Sequence, residues 1–106
     1  MVAANIRRLV EKSNHKQHKH AVLIYRGGAL VATGYNHEDI HAEQVALGKL
    51  WPDHRVGTRV VSIRLRKDGN LGMAKPCPVC EAMLREAGVK SVTFSNYEGQ
   101  MEKMSL

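Results

Sequence analysis

Apolar and polar residues alternate along this chain in two rhythms, and the switches between them predict its elements. Residues 2–13 repeat at helical spacing: Ile6, Leu9 and Val10 share one face, and Arg7, Arg8, Glu11 and Lys12 take the other. Residues 21–25 and 29–34 are short apolar runs separated by Arg26-Gly27-Gly28, which predicts a β-hairpin whose glycines supply positive φ at the turn. A polar loop over 35–40 leads into a helix that starts between Asp39 and His41 and runs to about Leu50. Its apolar residues are Ile40, Val45, Leu47 and Leu50, and Asp39 is a candidate cap for its first amides. Pro52 stops it, because proline cannot continue a helix.

Residues 58–66 show the clearest strand alternation. Val61, Ile63 and Leu65 point one way; Ser62, Arg64 and Arg66 point the other, and Arg64 and Arg66 read as a solvated or rim-facing pair, with phosphate contact as the alternative. A turn at Lys67-Asp68-Gly69-Asn70 gives way to an irregular or extended approach, residues 71–75, to Pro76. The next helix covers 78–87, with Pro78 suited to its first turn and Gly88 to its C-terminal stop. Residues 90–95 read as a strand, 96–100 as a turn and 101–106 as a closing antiparallel strand. Strand–helix–strand order asks for parallel crossovers. Two of them around an initial hairpin predict an α/β fold: a three-layer α/β/α sandwich on a mixed five-stranded sheet.

Composition sets the frame. A chain of 106 residues corresponds to one domain, 1–106, with a core lean enough that a bound metal or a second copy would help it. No apolar run approaches a membrane span, and the first residues lack the apolar core of a signal peptide, so no membrane partner and a cytoplasmic location are expected. The net charge of +6 favours phosphorylated or polyanionic partners. The tract His15-Lys16-Gln17-His18-Lys19-His20 lacks the spacing of a metal site and reads as a solvated basic loop. Trp51 reads as packing at a helix end.

Candidate chemistry sits in two short pieces. His41-Ala42-Glu43 opens one helix, and Pro76-Cys77-Pro78-Val79-Cys80 opens another. Helix N-termini stabilise thiolates, and both helices follow strand ends, where sites form in open α/β sheets. One imidazole and two thiolates neutralise Zn²⁺, and three protein ligands leave one position open, as catalytic zinc requires. Glu43, two residues beyond His41, is placed to carry a proton rather than to ligate. Competing arrangements are a Cys77–Cys80 redox pair and a closed structural site in which His37 joins His41, Cys77 and Cys80.

The two pieces together, H-x-E followed by P-C-x-x-C, resemble the signature of the zinc-dependent cytidine deaminase-like superfamily, and the likeness covers the chain from about His20 to Leu106. Gly34-Tyr35-Asn36 is also similar to that family's Gly-aromatic-Asn turn. The resemblance implies Zn²⁺ held by His41, Cys77 and Cys80, with Glu43 as the catalytic acid–base. It implies substrate contacts from Asn36, Ala42 and Pro76, with backbone amides near Ala42 and Cys77 polarising the site. The implied reaction is hydrolytic: water replaces the amino group at C4 of cytosine or C6 of adenine, and ammonia leaves.

The substrate is divided. A closing antiparallel hairpin resembles the branch acting on small nucleosides, whereas a histidine as first ligand is more usual in the deoxycytidylate, tRNA-adenosine and polynucleotide-editing branch. The expected substrate is a cytidine- or deoxycytidine-type nucleoside or nucleotide. The alternative is a base within single-stranded DNA or RNA, gripped by Arg7, Arg8, Lys12, Lys16 and Lys19, although 5% aromatic content offers little for stacking unpaired bases. A zinc module without catalysis is the third class. A homo-oligomer is expected from the lean domain and the family's habit.

Overall fold

The computed structural model describes residues 19–36 and 40–106. The helix expected over 2–13, most of the basic tract, His37 and the Asp39 cap lie outside the described residues. Strands β1 (Lys19–Arg26) and β2 (Ala29–Tyr35) form the expected hairpin. Helices α1 (Ala42–Gly48) and α2 (Pro52–Arg55) follow. Then come β3 (Arg59–Leu65), β4 (Leu71–Gly72), α3 (Pro78–Ala87), β5 (Ser91–Ser95) and β6 (Met101–Ser105).

The sheet runs β2-β1-β3-β5-β6, with β4 on the end of β3. β1 is antiparallel to both β2 and β3, so β2 and β3 run the same way and α1 carries the chain between them past β1. β3 and β5 are parallel neighbours joined through α3, and β6 returns antiparallel to β5. The mixed α/β sheet is thus as the sequence predicts, but it has six strands among the described residues rather than five. The turn at 67–70 is tight, with Arg66 N–H donating to the Asn70 carbonyl at 2.8 Å. It folds residues expected to be irregular back onto β3, pairing Leu65 with Leu71 and Arg64 with Gly72.

Three local expectations are corrected. Lys19 and His20 belong to β1, not to a solvated loop, because the period-two pattern of Val22 and Ile24 extends back to them. α1 begins at Ala42, with the His41 N–H held by Gln44 Oε1 at 3.1 Å, and it ends at Gly48; Ile40 stands outside it, 45% exposed. Pro52 opens a separate short helix, leaving Trp51 at its N-cap, 76% exposed and packed on no core.

The main core lies between the sheet and one helical layer. Val22, Ile24, Ala32, Val60, Val92 and Phe94 meet Ala42, Ala46, Leu47 and Leu84. The other sheet face carries a smaller cluster around Ala21, Ile63 and Leu71, with Val61 and Leu65 against it.

One close approach fixes α1 on the sheet. A Cβ at Gly34 would lie 2.6 Å from Ala46 N and 2.7 Å from the Ala42 carbonyl, both backbone atoms. Only glycine lets β2 and α1 come so close, and neither backbone atom can move away without shifting the helix. Gly34→Ala is expected to cost about 1–3 kcal/mol and to lower the thermal midpoint measurably. Gly48→Ala, whose Cβ meets nothing within 4 Å, serves as the control. It should leave the midpoint unchanged or raise it, by up to about 1 kcal/mol of helix propensity.

Candidate active site

Two helix starts face each other at the carboxyl ends of the parallel strands. His41 directly precedes α1 in extended conformation (φ −73°, ψ 145°), and Cys77 directly precedes α3 in the same region (φ −65°, ψ 163°). Pro78 opens α3 with a φ already helical and no N–H to leave unpaired, so Cys80 sits within its first turn. Cys80 Sγ lies 3.5 Å from His41 Nδ1, across a separation of 39 residues. One donor atom each from His41, Cys77 and Cys80 falls within a 4.8 Å cluster.

These donors fit zinc. Tetrahedral ligation with usual bond lengths puts nitrogen and sulfur about 3.6 Å apart and two sulfurs about 3.8 Å apart. The His41–Cys80 distance matches, and Cys77, the exposed member, can close the remaining difference by rotating its side chain. Among the described residues no fourth His, Cys, Asp or Glu joins the cluster. His37, the fourth ligand of the competing closed site, lies outside the described residues. Burial, then Glu43 and Cys77, push the Cys80 thiol up to about 12. A dication among the three donors reverses that sign and makes the thiolate the bound form.

Glu43 projects from the first turn of α1 into the fold and is 1% exposed. Its Oε1 is buried with no hydrogen-bond partner among the described residues. Burial raises its pKa above the ordinary carboxylate range, against smaller opposing effects of a backbone hydrogen bond, His41 and Arg64. A buried, unsatisfied carboxylate oxygen is costly and marks a group kept for chemistry.

The sequence reading missed the wall opposite Glu43. His20 Nε2 lies 2.6 Å from Ser62 Oγ, and Ser62 Oγ donates its single proton to the Ala74 carbonyl at 2.8 Å. The serine therefore accepts from His20, and Nε2 of the neutral ring carries the hydrogen. Nδ1 is left bare at 3.8 Å from Glu43 Oε1. It offers an acceptor to a protonated Glu43 and no donor to an ionised one. Burial, then Arg64 and His41, lower the His20 pKa to about 4, so this wall is neutral. The available signal was the strand period carried back from Ile24 through Val22 to His20.

The remaining predicted residues surround this centre. Asn36 is pinned to β1 by two bonds: the His20 N–H donates to Asn36 Oδ1 at 2.9 Å, and the Asn36 N–H donates to the His20 carbonyl at 3.0 Å. Ala42 and Pro76 are buried, each adjacent in sequence to a predicted ligand.

The model of the cytidine and deoxycytidylate deaminase zinc-binding region matches residues 2–96. No curated protein matches the chain. Among solved structures, a cytidine deaminase from Burkholderia pseudomallei is 18% identical with a TM-score of 0.71, over 98% of this chain and 93% of that one. The dCMP deaminase of cyanophage S-TIM5, solved in complex with dCMP and dUMP, is 21% identical with a TM-score of 0.57, over 92% of this chain and 85% of that one. Acinetobacter baumannii RibD is 18% identical with a TM-score of 0.65, over 87% of this chain but 25% of that one. At these identities the likeness is one of fold.

The neutral His20 has a measurable consequence. Between its ordinary value near 6.5 and about 4, the unfolded chain takes up a proton that the folded one refuses. In the chelator-treated protein, folding stability should therefore fall as pH drops from about 6.5 to 4, by on the order of 3 kcal/mol from this group. Denaturant unfolding across that range should show a shallower fall in His20→Gln; an equal fall in both proteins would place the acid sensitivity elsewhere.

Proposed function

The chain belongs to the cytidine and deoxycytidylate deaminase family defined by its zinc-binding region, and from that premise we propose that it hydrolyses a cytidine- or deoxycytidine-type nucleoside or nucleotide to the uridine-type product and ammonia. His41, Cys77 and Cys80 hold the zinc. When bound, the metal lowers the pKa of water and so supplies a nucleophile at neutral pH. The observation that carries the reading is Glu43 Oε1, buried with no hydrogen-bond partner among the described residues and beside that three-donor cluster.

In this reading Glu43 is the proton carrier. Its raised pKa favours proton uptake, so Oε1 takes a proton from the attacking water and returns it to the departing amino group. His20 Nδ1 faces Oε1 and keeps the protonated carboxyl oriented, while Ser62 keeps the imidazole from turning. Asn36, fixed by its paired bonds to β1, contacts the sugar or base. Ala42 and Pro76 line the approach, and the backbone amides near Ala42 and Cys77 polarise the reacting group. Buried apolar surface behind α1 excludes bulk water, which strengthens each of these interactions. A second reading, deamination of a base within single-stranded DNA or RNA, is favoured by Arg64, Arg66, Lys67 and Lys75, which line one groove at the end of β3.

An ammonia-release assay over cytidine, deoxycytidine, dCMP, adenosine and short single strands tests the reaction. Pyrimidine substrates should turn over. Glu43→Gln should retain zinc and lose about 10²–10⁴-fold in kcat. Chelation should abolish turnover and added zinc restore it. His37→Ala should keep its metal; loss of metal and unfolding in that variant would instead identify a closed structural site, and no turnover on any pyrimidine by the zinc-loaded protein would sink the proposal.

A further inference from the structure

The end of β3 opens into a groove of about 710 Å³ whose lining includes Arg64, Arg66, Lys67, Lys75 and Tyr97. Its position follows from strand geometry. Arg64 stands directly opposite His20 in the β1–β3 ladder, on the face that also carries Ser62 and the helices. Arg66 continues the same row outward. His20, the ladder partner of Arg64, places Nδ1 3.8 Å from Glu43 Oε1, so the groove begins next to that wall. Lys75 approaches from the other side, two residues before Cys77.

The groove is also shaped for its two arginines. Their stems pass over Gly72, where a Cβ would meet Arg66 Cγ at 2.9 Å and Arg64 Cδ at 3.7 Å. Asp68 holds the Arg66 guanidinium at 3.2 Å, on an exposed and therefore weak pair. Among the described residues no carboxylate pairs with Arg64, Lys67 or Lys75. Tyr97, 79% exposed in the β5–β6 turn, gives the same groove a stacking surface. Four cations beside one aromatic ring match phosphate next to a sugar rather than a neutral sugar alone.

We infer that this groove is a phosphate-binding site and that the pyrimidine reaches Glu43 as a phosphate ester, with Arg64 taking the phosphate nearest the base. The inference rests on the deaminase reading and narrows its substrate class. A free nucleoside leaves Arg64, Lys67 and Lys75 without a counter-charge and Arg66 with only its exposed pair to Asp68. A nucleotide engages Arg64, and a short single strand engages Arg66, Lys67 and Lys75 as well.

The test compares kcat/KM on deoxycytidine, dCMP and a short cytosine-containing single strand, in wild type, Arg64→Gln, Arg66→Gln and Lys75→Gln. The phosphate esters should exceed deoxycytidine by about tenfold or more. Arg64→Gln should reduce the ester-to-nucleoside ratio by a similar factor, whatever it does to either substrate alone. A preference for the strand, with a steep salt dependence and equal losses in Arg66→Gln and Lys75→Gln, identifies a phosphodiester. A preference for dCMP, with Arg66→Gln silent, identifies a monoester. Deoxycytidine turned over as well as either ester, or an unchanged ratio in Arg64→Gln, would overturn the inference while leaving the deaminase reading intact. Calorimetry with zinc-loaded Glu43→Gln gives an independent readout: dCMP or the strand should bind more tightly than deoxycytidine, and equal affinities count against the site.

Discussion

Where α1 crosses β2, the backbone of Gly34 stands so near Ala46 N and the Ala42 carbonyl that no side chain fits between. The rest of the site depends on that contact. It presses the first turn of α1 onto the sheet, with Ala42 and Ala46 as the small residues that complete the approach. His41 then reaches the start of α3, and Glu43 is driven inward toward β1 and β3. A looser contact would keep the same residues on the same helix, yet it would separate His41 Nδ1 from Cys80 Sγ and let water reach Glu43. Packing by absence of side chain here sets the distances on which ligation and proton transfer depend.

The buried centre combines groups that would destabilise an ordinary core. A carboxylate with an unpaired oxygen, a histidine kept neutral and a thiol pushed up to about 12 meet within one region. Each is disfavoured in its charged form by burial. Zinc changes the balance, since a dication favours the thiolates and the neutral imidazole it needs. In the proposed reading, Glu43 stays outside the ligand set, and its Oε1, without a hydrogen-bond partner among the described residues, exchanges the proton. The neutral His20 suits that task better than a charged one, because an imidazolium at 3.8 Å would hold Glu43 ionised.

The chain's local chemistry was legible where spacing within one element carries it. His41 and Glu43 share a helix turn, Cys77 and Cys80 share another, and the proline and glycine signals around them mark both helix starts. The hairpin, the parallel crossover and the closing antiparallel strand follow from the same punctuation. His20 and Ser62 were not legible as partners, because only the β1–β3 register brings them together. β3 shows why alternation fell short. It is covered on one face by the helices and on the other by the Ile63 cluster, so Ser62 points into the buried interior, while Arg64 and Arg66 stand at the rim as expected. Period two separates the faces of a strand without saying which is inward. β4 is local but was not legible as a strand: it exists because the 67–70 turn closes tightly enough to return two residues to β3.

That one row of β3 also explains how a dry reaction centre and a wet binding surface share so small a domain. Val60 is fully buried in the main core, and Ser62, two residues on, is fully buried but polar, holding His20 and Ala74. Arg64 is half-buried at the mouth, and Arg66 is exposed. Successive same-face residues lie about 6.6 Å apart along a strand, so the row passes from core to catalytic wall to cationic rim within three steps. A ligand lying along it meets low dielectric at the end where protons move and charge at the end where solvent is. Both requirements of the proposed reaction, exclusion of water at the base and attraction of an anion beside it, are thereby met by a single strand's alternation.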